Sequence, residues 1–164
     1  MSKTMMCPGC GLILPSADEH LDDRYHASSA CKQLYDELTA YTLSLRDADF
    51  IHQLAIDTYT AQHAGAGIKP MGLTFALVTL YLVFEHNYTG RQAQRAHTLL
   101  AYTPKKWPQF RFPEAKASLT VLDVLNAPAH ARNAMLRQWG KAVWRIWESE
   151  QTKVAEFVHE RLTV

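Results

Sequence analysis

The stretch Cys7-Pro8-Gly9-Cys10-Gly11 constrains this chain more than any other. Two cysteines separated by two residues can aim both sulfurs at one tetrahedral ion only if the backbone between them turns tightly, and Pro8 and Gly9 supply that turn. Proline fixes one dihedral, while Gly9 and Gly11 accept positive φ, so that backbone amides can face the thiolates. The same spacing serves redox pairs, but such a pair follows a strand and opens a helix. Only six residues precede Cys7, and Gly11-Leu12-Ile13-Leu14-Pro15 is a poor helix start. The arrangement favours a bound zinc ion (Zn2+) over a redox pair or ordinary free thiols.

A chain of 164 residues that is 48% hydrophobic is large enough to form a core without disulfides. We expect one domain over 1–164, with a zinc knuckle and loop at 1–27 and a helical bundle at 28–164. The net charge of +1 points to neither a nucleic-acid footprint nor a membrane surface. The first ten residues hold the cysteine pair instead of an apolar leader, and three cysteines are an odd number. Both features fit a reducing cytoplasm. Met71 to Phe84, the most apolar stretch, is interrupted by Gly72, Thr74 and Thr79 and is too short for a bilayer; it reads as a core helix.

The fold class expected is all-α: a helical bundle of about five helices behind the N-terminal knuckle. Ser16 to His26 is acid-rich and reads as a solvated loop. A first helix starts at Ser28 or Ser29, with Leu34, Leu38, Tyr41 and Leu45 on one face and Cys31 in its first turn. A second, capped by Asp47 or Asp49, carries Ile51, Leu54, Ile56, Tyr59 and His63 before Gly65 and Gly67 stop it.

So short a turn makes these two helices antiparallel neighbours. With the turn near Asp47, Cys31 lies sixteen residues before it (47 − 31) and His63 sixteen after (63 − 47), so both come to the same end of the helical hairpin. His52 lies at the other end, about 16 Å from His63 at about 1.5 Å per residue. The expected metal ligands are therefore Cys7, Cys10, Cys31 and His63, a closed Cys3His set. His26, close to Cys31 in sequence, is the nearest rival for the fourth position, with His52 behind it. The bland alternative makes Cys31 a small buried hydrophobe and His63 a helix cap.

These residues also resemble a family. The segments Cys7 to Pro15, Tyr25-His26-Ala27-Ser28-Ser29-Ala30-Cys31 and His52 to His63, together with Trp139 and Val143-Trp144-Arg145-Ile146-Trp147, look like the bacterial DUF5946 family of uncharacterised proteins. The resemblance covers most of the chain and is most specific in its first 65 residues. It implies that the two cysteine segments and the segment ending at His63 form one constellation, and it brings no activity with it. The family pattern has a histidine near Ala76 and a histidine pair where this chain has Glu150 and Gln151. A second, reactive site built on those histidines would be lost here.

The third helix is expected from Met71 to His86, apolar nearly all round. A fourth follows from Arg91 to Tyr102, with His86 and His97 near termini or on exposed faces. Thr103 to Pro113 interleaves three prolines with Lys105, Lys106, Trp107, Phe110, Arg111 and Phe112. That mixture can grip single strands, but here it reads as a strap with its aromatics pinned into the bundle. Ser118 to Asn126 holds a short apolar turn or helix. A last helix runs from Pro128 to about Arg161, its stripe interrupted near Glu150 and Gln151. Trp139, Trp144 and Trp147 must be buried, either within one chain or across a homodimer, while Arg137, Lys141 and Arg145 form a solvated face.

The functional expectation is a noncatalytic zinc-stabilised module acting through a protein or small-molecule partner, with no membrane and no nucleic acid. The alternative is a metal-dependent enzyme whose ion keeps a position open for water. His63 would then work with His52, His86 or Asp57, and Tyr59 would donate a proton. Three thiolates lower the Lewis acidity that hydrolysis needs and argue against that alternative.

Overall fold

A computed structural model describes residues 3–16, 24–103 and 106–163. Residues 17–23, which hold most of the acidic stretch, and Pro104 with Lys105 of the strap lie outside it. Among the described residues the architecture is helical, with one small hairpin of strands β1 (Thr4–Met6) and β2 (Ile13–Pro15). The strands pair antiparallel in the register Thr4 with Pro15, Met5 with Leu14 and Met6 with Ile13, and the knuckle forms the turn between them.

Helix α1 (Ser29–Ser44) begins where Ser28 accepts a hydrogen bond from the Cys31 amide. The turn into α2 (Ile51–Gln62) puts Phe50 in a left-handed conformation. The Asp47 carboxylate accepts from the Ile51 amide, so the expected aspartate does cap this helix, from outside the N-cap position. Helix α3 (Pro70–His86) has proline in its first turn and buries every residue from Leu77 to Val83. A Thr89–Gln92 capping box opens α4 (Gly90–Ala101). Helix α5 (Val121–Asn126) is capped by Thr120 and Asp123.

The single last helix expected from Pro128 is two helices. Pro128 leads into a short 3-10 turn and then α6 (Arg132–Ile146); a second 3-10 turn at Glu148–Glu150 precedes α7 (Gln151–Arg161). The Gln151 side-chain amide donates across the break to the Trp144 carbonyl, which also accepts from the Trp147 amide. With the break, α7 packs on α3 while α6 packs on α2, α3 and α5. Helix α2 touches α1, α3, α4 and α6, so it shares the centre with α3.

Trp139 and Trp147 are fully buried and Trp144 nearly so, all within this chain. Each removes on the order of 150–250 Å² from water, worth at most roughly 4–6 kcal/mol at ~25 cal/mol/Å². Their indole N–H groups donate to Gln62 Oε1, Glu85 Oε1 and the Ala61 carbonyl, so two of the three brace the end of α2 that carries His63. The strap is pinned in part as expected: Trp107 packs edge-on to Phe75 and against Phe157, while Phe112 meets Trp147 edge-on but stays exposed. Among the described residues no helix is long and apolar enough to cross a membrane.

Candidate metal centre

The knuckle is closed by backbone. The Cys7 amide donates to the Leu12 carbonyl at 2.7 Å and the Gly11 amide to the Cys7 carbonyl at 2.9 Å, with Gly11 at φ +82°. Gly9 is required for a different reason. A Cβ there would lie 2.4 Å from the His26 carbonyl oxygen and 2.5 Å from the His63 ring, so the knuckle can rest on α2 only without a side chain. Lys116, from the segment after the strap, donates to the carbonyls of Pro8 and Gly9 and holds the knuckle from outside.

Beneath the knuckle, Cys31 comes from the first turn of α1 and His63 from the C-cap of α2. One donor atom from each of Cys7, Cys10, Cys31 and His63 falls within 4.8 Å of all the others, and all four residues are buried. Cys10 Sγ lies 3.8 Å from Cys31 Sγ, and Cys31 Sγ lies 3.4 Å from His63 Nε2. An ion with sulfur at about 2.3 Å and nitrogen at about 2.0 Å in tetrahedral geometry needs edges of about 3.8 Å and about 3.5 Å. The Cys10–Cys31 and Cys31–His63 pairs therefore stand at the separations one ion would impose, and the group, with all four donors inside 4.8 Å, could hold a metal.

The surroundings favour that use. His63 Nδ1 donates to the Tyr59 carbonyl at 2.9 Å, which fixes the tautomer and leaves Nε2 with its lone pair toward the sulfurs. The Tyr59 ring stacks on His63 on one face and on Tyr35 on the other, with Tyr25 edge-on. Its hydroxyl donates to Cys31 Sγ at 3.4 Å, and the Ser28 amide donates to Cys7 Sγ at 3.5 Å, so two sulfurs receive donors suited to thiolates.

As thiols alone, the three cysteines divide their protons unevenly. Hydrogen bonds from Cys10 and Cys31 draw Cys7 far below the ordinary thiol range. Hydrogen bonds with Cys10 and Cys7, joined by burial, push Cys31 far above it. Cys10 rises to about 11: its hydrogen bond with Cys31 pulls it down, but that with Cys7 and burial more than reverse this. A cation among the three sulfurs would favour the thiolate form of each.

The remaining sequence candidates lie elsewhere. His26 gives its amide to the His63 carbonyl and lines a cleft of about 320 Å³ outside the knuckle, with Gly9, Gln62 and Lys116. His52 is at the far end of the hairpin, bonded to Thr42 Oγ1 at 2.7 Å, where burial lowers its pKa. His86 bonds to Tyr81 and Asp57 to Gln53; besides His63 itself, Tyr59 is the member of that alternative set with a hydrogen bond to a cysteine sulfur.

His97 corrects the expectation of an exposed face. It stacks on Phe75, its Nε2 lies 2.9 Å from the Phe75 carbonyl and 2.8 Å from Thr79 Oγ1, and it faces the buried Asp57 carboxylate at 3.8 Å. The sequence signal for this polar cluster is Asp57 itself, an acid among the apolar positions of the second helix.

A model of a protein family of unknown function, DUF5946, matches residues 5–148, a span that contains all four donors. The chain belongs to the DUF5946 family. No curated protein and no solved structure matches it. What this DUF5946 chain does must therefore be argued from its own side chains.

Proposed function

We propose that this DUF5946 protein is a zinc-stabilised helical module, its Cys3His centre structural and its biological action exerted through binding rather than catalysis. The observation that carries the reading is the donor set: three sulfurs and one imidazole, all buried, fill the four positions of a tetrahedral ion and leave none for water or substrate. Sulfur donors also favour zinc over magnesium, calcium or manganese.

The centre's work in this reading is folding. The β-hairpin is short, and Met6 and Ile13 are exposed, so it has little apolar burial of its own. Coordination ties it to α1 and α2. Structural zinc in small peptides contributes on the order of 10–16 kcal/mol at neutral pH, ample for an element of this size. The cleft between the knuckle, the Gly65 turn and Pro113 to Lys116 offers a place for a small molecule or a partner's side chain.

The test is metal content with stability. Purified protein should carry about one zinc per chain, and Cys31→Ser should lose both the ion and several degrees of melting temperature. A zinc ion found with a water among its ligands, or full stability in Cys31→Ser, would overturn the structural role and revive the catalytic alternative.

A further inference from the structure

Two histidines lie outside the cysteine centre, where α7 packs on α3. His86 is the last residue of α3 and His159 lies in the last turn of α7. The two imidazoles converge on one phenol: Tyr81 Oη lies 2.8 Å from His86 Nε2 and 3.1 Å from His159 Nε2. Tyr81 is buried, His86 half-buried and His159 exposed, so the point where they meet is open on one side.

A tyrosine clamp needs only one such histidine. A phenol has one proton, so a shared oxygen makes one Nε2 an acceptor and the other a donor, two different tautomers at one point. A metal ion removes that asymmetry. With nitrogen at about 2.0–2.1 Å, neighbouring donors around a tetrahedral or square ion stand about 2.9–3.4 Å apart, close to the two distances found here. Burial first, and then the Glu85 carboxylate that accepts from Trp144 Nε1 at 2.8 Å, raise the Tyr81 pKa, so the phenol keeps its proton and its oxygen would meet an ion as a neutral donor. The family model ends at residue 148, so His159 lies outside the part of the chain that membership describes.

We propose that His86 and His159, with Tyr81 oxygen or water completing the shell, form a second site, for a divalent transition-metal ion, that staples α7 to α3. Two imidazoles and an oxygen suit zinc, cobalt, nickel or copper. The sulfur-free donor set makes this site weaker and more exchangeable than the Cys3His centre. Ion binding here would connect ambient metal to the seating of the C-terminal helix.

Protein carrying its purified zinc is titrated with Co(II) and followed by equilibrium dialysis, zinc release and absorbance. We expect one further equivalent with weak visible bands and no intense near-ultraviolet thiolate absorption, which would mark cobalt entering the cysteine centre. His86→Gln and His159→Gln should each weaken this second equivalent about tenfold or more while keeping the zinc and the helix content. Co(II) should raise the melting temperature of the parent and leave that of His159→Gln unchanged. Absence of a second equivalent, or equal binding in parent and both variants, overturns the proposal.

Discussion

At the scale of single residues, the knuckle depends on an atom that is missing. Gly9 has no Cβ, and that is why the His26 carbonyl and the His63 ring can approach the loop as they do. Gly9→Ala should force the knuckle off α2, with a cost of about 1–3 kcal/mol typical of overpacking and a weaker hold on the ion. Chemical denaturation and zinc competition by a chelator check both. The Cys-Pro-Gly-Cys spacing made a tight turn legible in sequence, because it follows from backbone chemistry alone. The contact between Gly9 and His63 was not legible, since it depends on where α2 ends in space.

Among elements, the junction of α2, α3 and α4 carries a titratable group among apolar neighbours. Asp57 is buried, and burial raises its pKa against the opposing pull of His97, Thr79 and Gln53. The fold therefore favours the protonated carboxyl. Its contribution to stability is fully present below the ordinary aspartate value of 3.8 and is lost as pH rises through the elevated folded value. We expect the stability of the parent, relative to Asp57→Asn, to fall across that window, as read by denaturant titrations at a series of pH values. His97 faces Asp57 from α4, Thr79 contributes from α3 and Gln53 from α2 itself, so the profile belongs to the cluster.

The helical hairpin of α1 and α2 was legible because helical rise and a short turn fix which residues share an end; equal separation from Asp47 paired Cys31 with His63. Two elements escaped. Strands β1 and β2 are three residues each and mostly exposed, too short for alternation to register. The break between α6 and α7 left only a lapse in the apolar stripe near Glu150, and its cause is tertiary: α7 turns to lie on α3. His97 was misplaced for the same reason, because its partners arrive from α2 and α3.

For the whole molecule, stability divides unevenly. The tryptophan-braced core of α2, α3, α6 and α7 is large and apolar, while the hairpin is attached through the sulfurs, Lys116 and the partly buried Leu12 and Leu14. In the zinc-bound form proposed above, stripping the ion with a strong chelator should free the N-terminal segment before the bundle melts. Limited proteolysis would then cut ahead of Ser28 while residues 70–161 stay protected; simultaneous cleavage throughout would show that the bundle needs the ion as well.

The four donors run in chain order from Cys7 to His63, and the lysine that braces the knuckle comes much later, at position 116. During synthesis, then, the cysteines leave the ribosome first but have no complete partner set until the second helix has emerged. A nascent chain would hold three reactive thiols in waiting, exposed to oxidants and competing ions, and its exposure ends only when translation has delivered the imidazole.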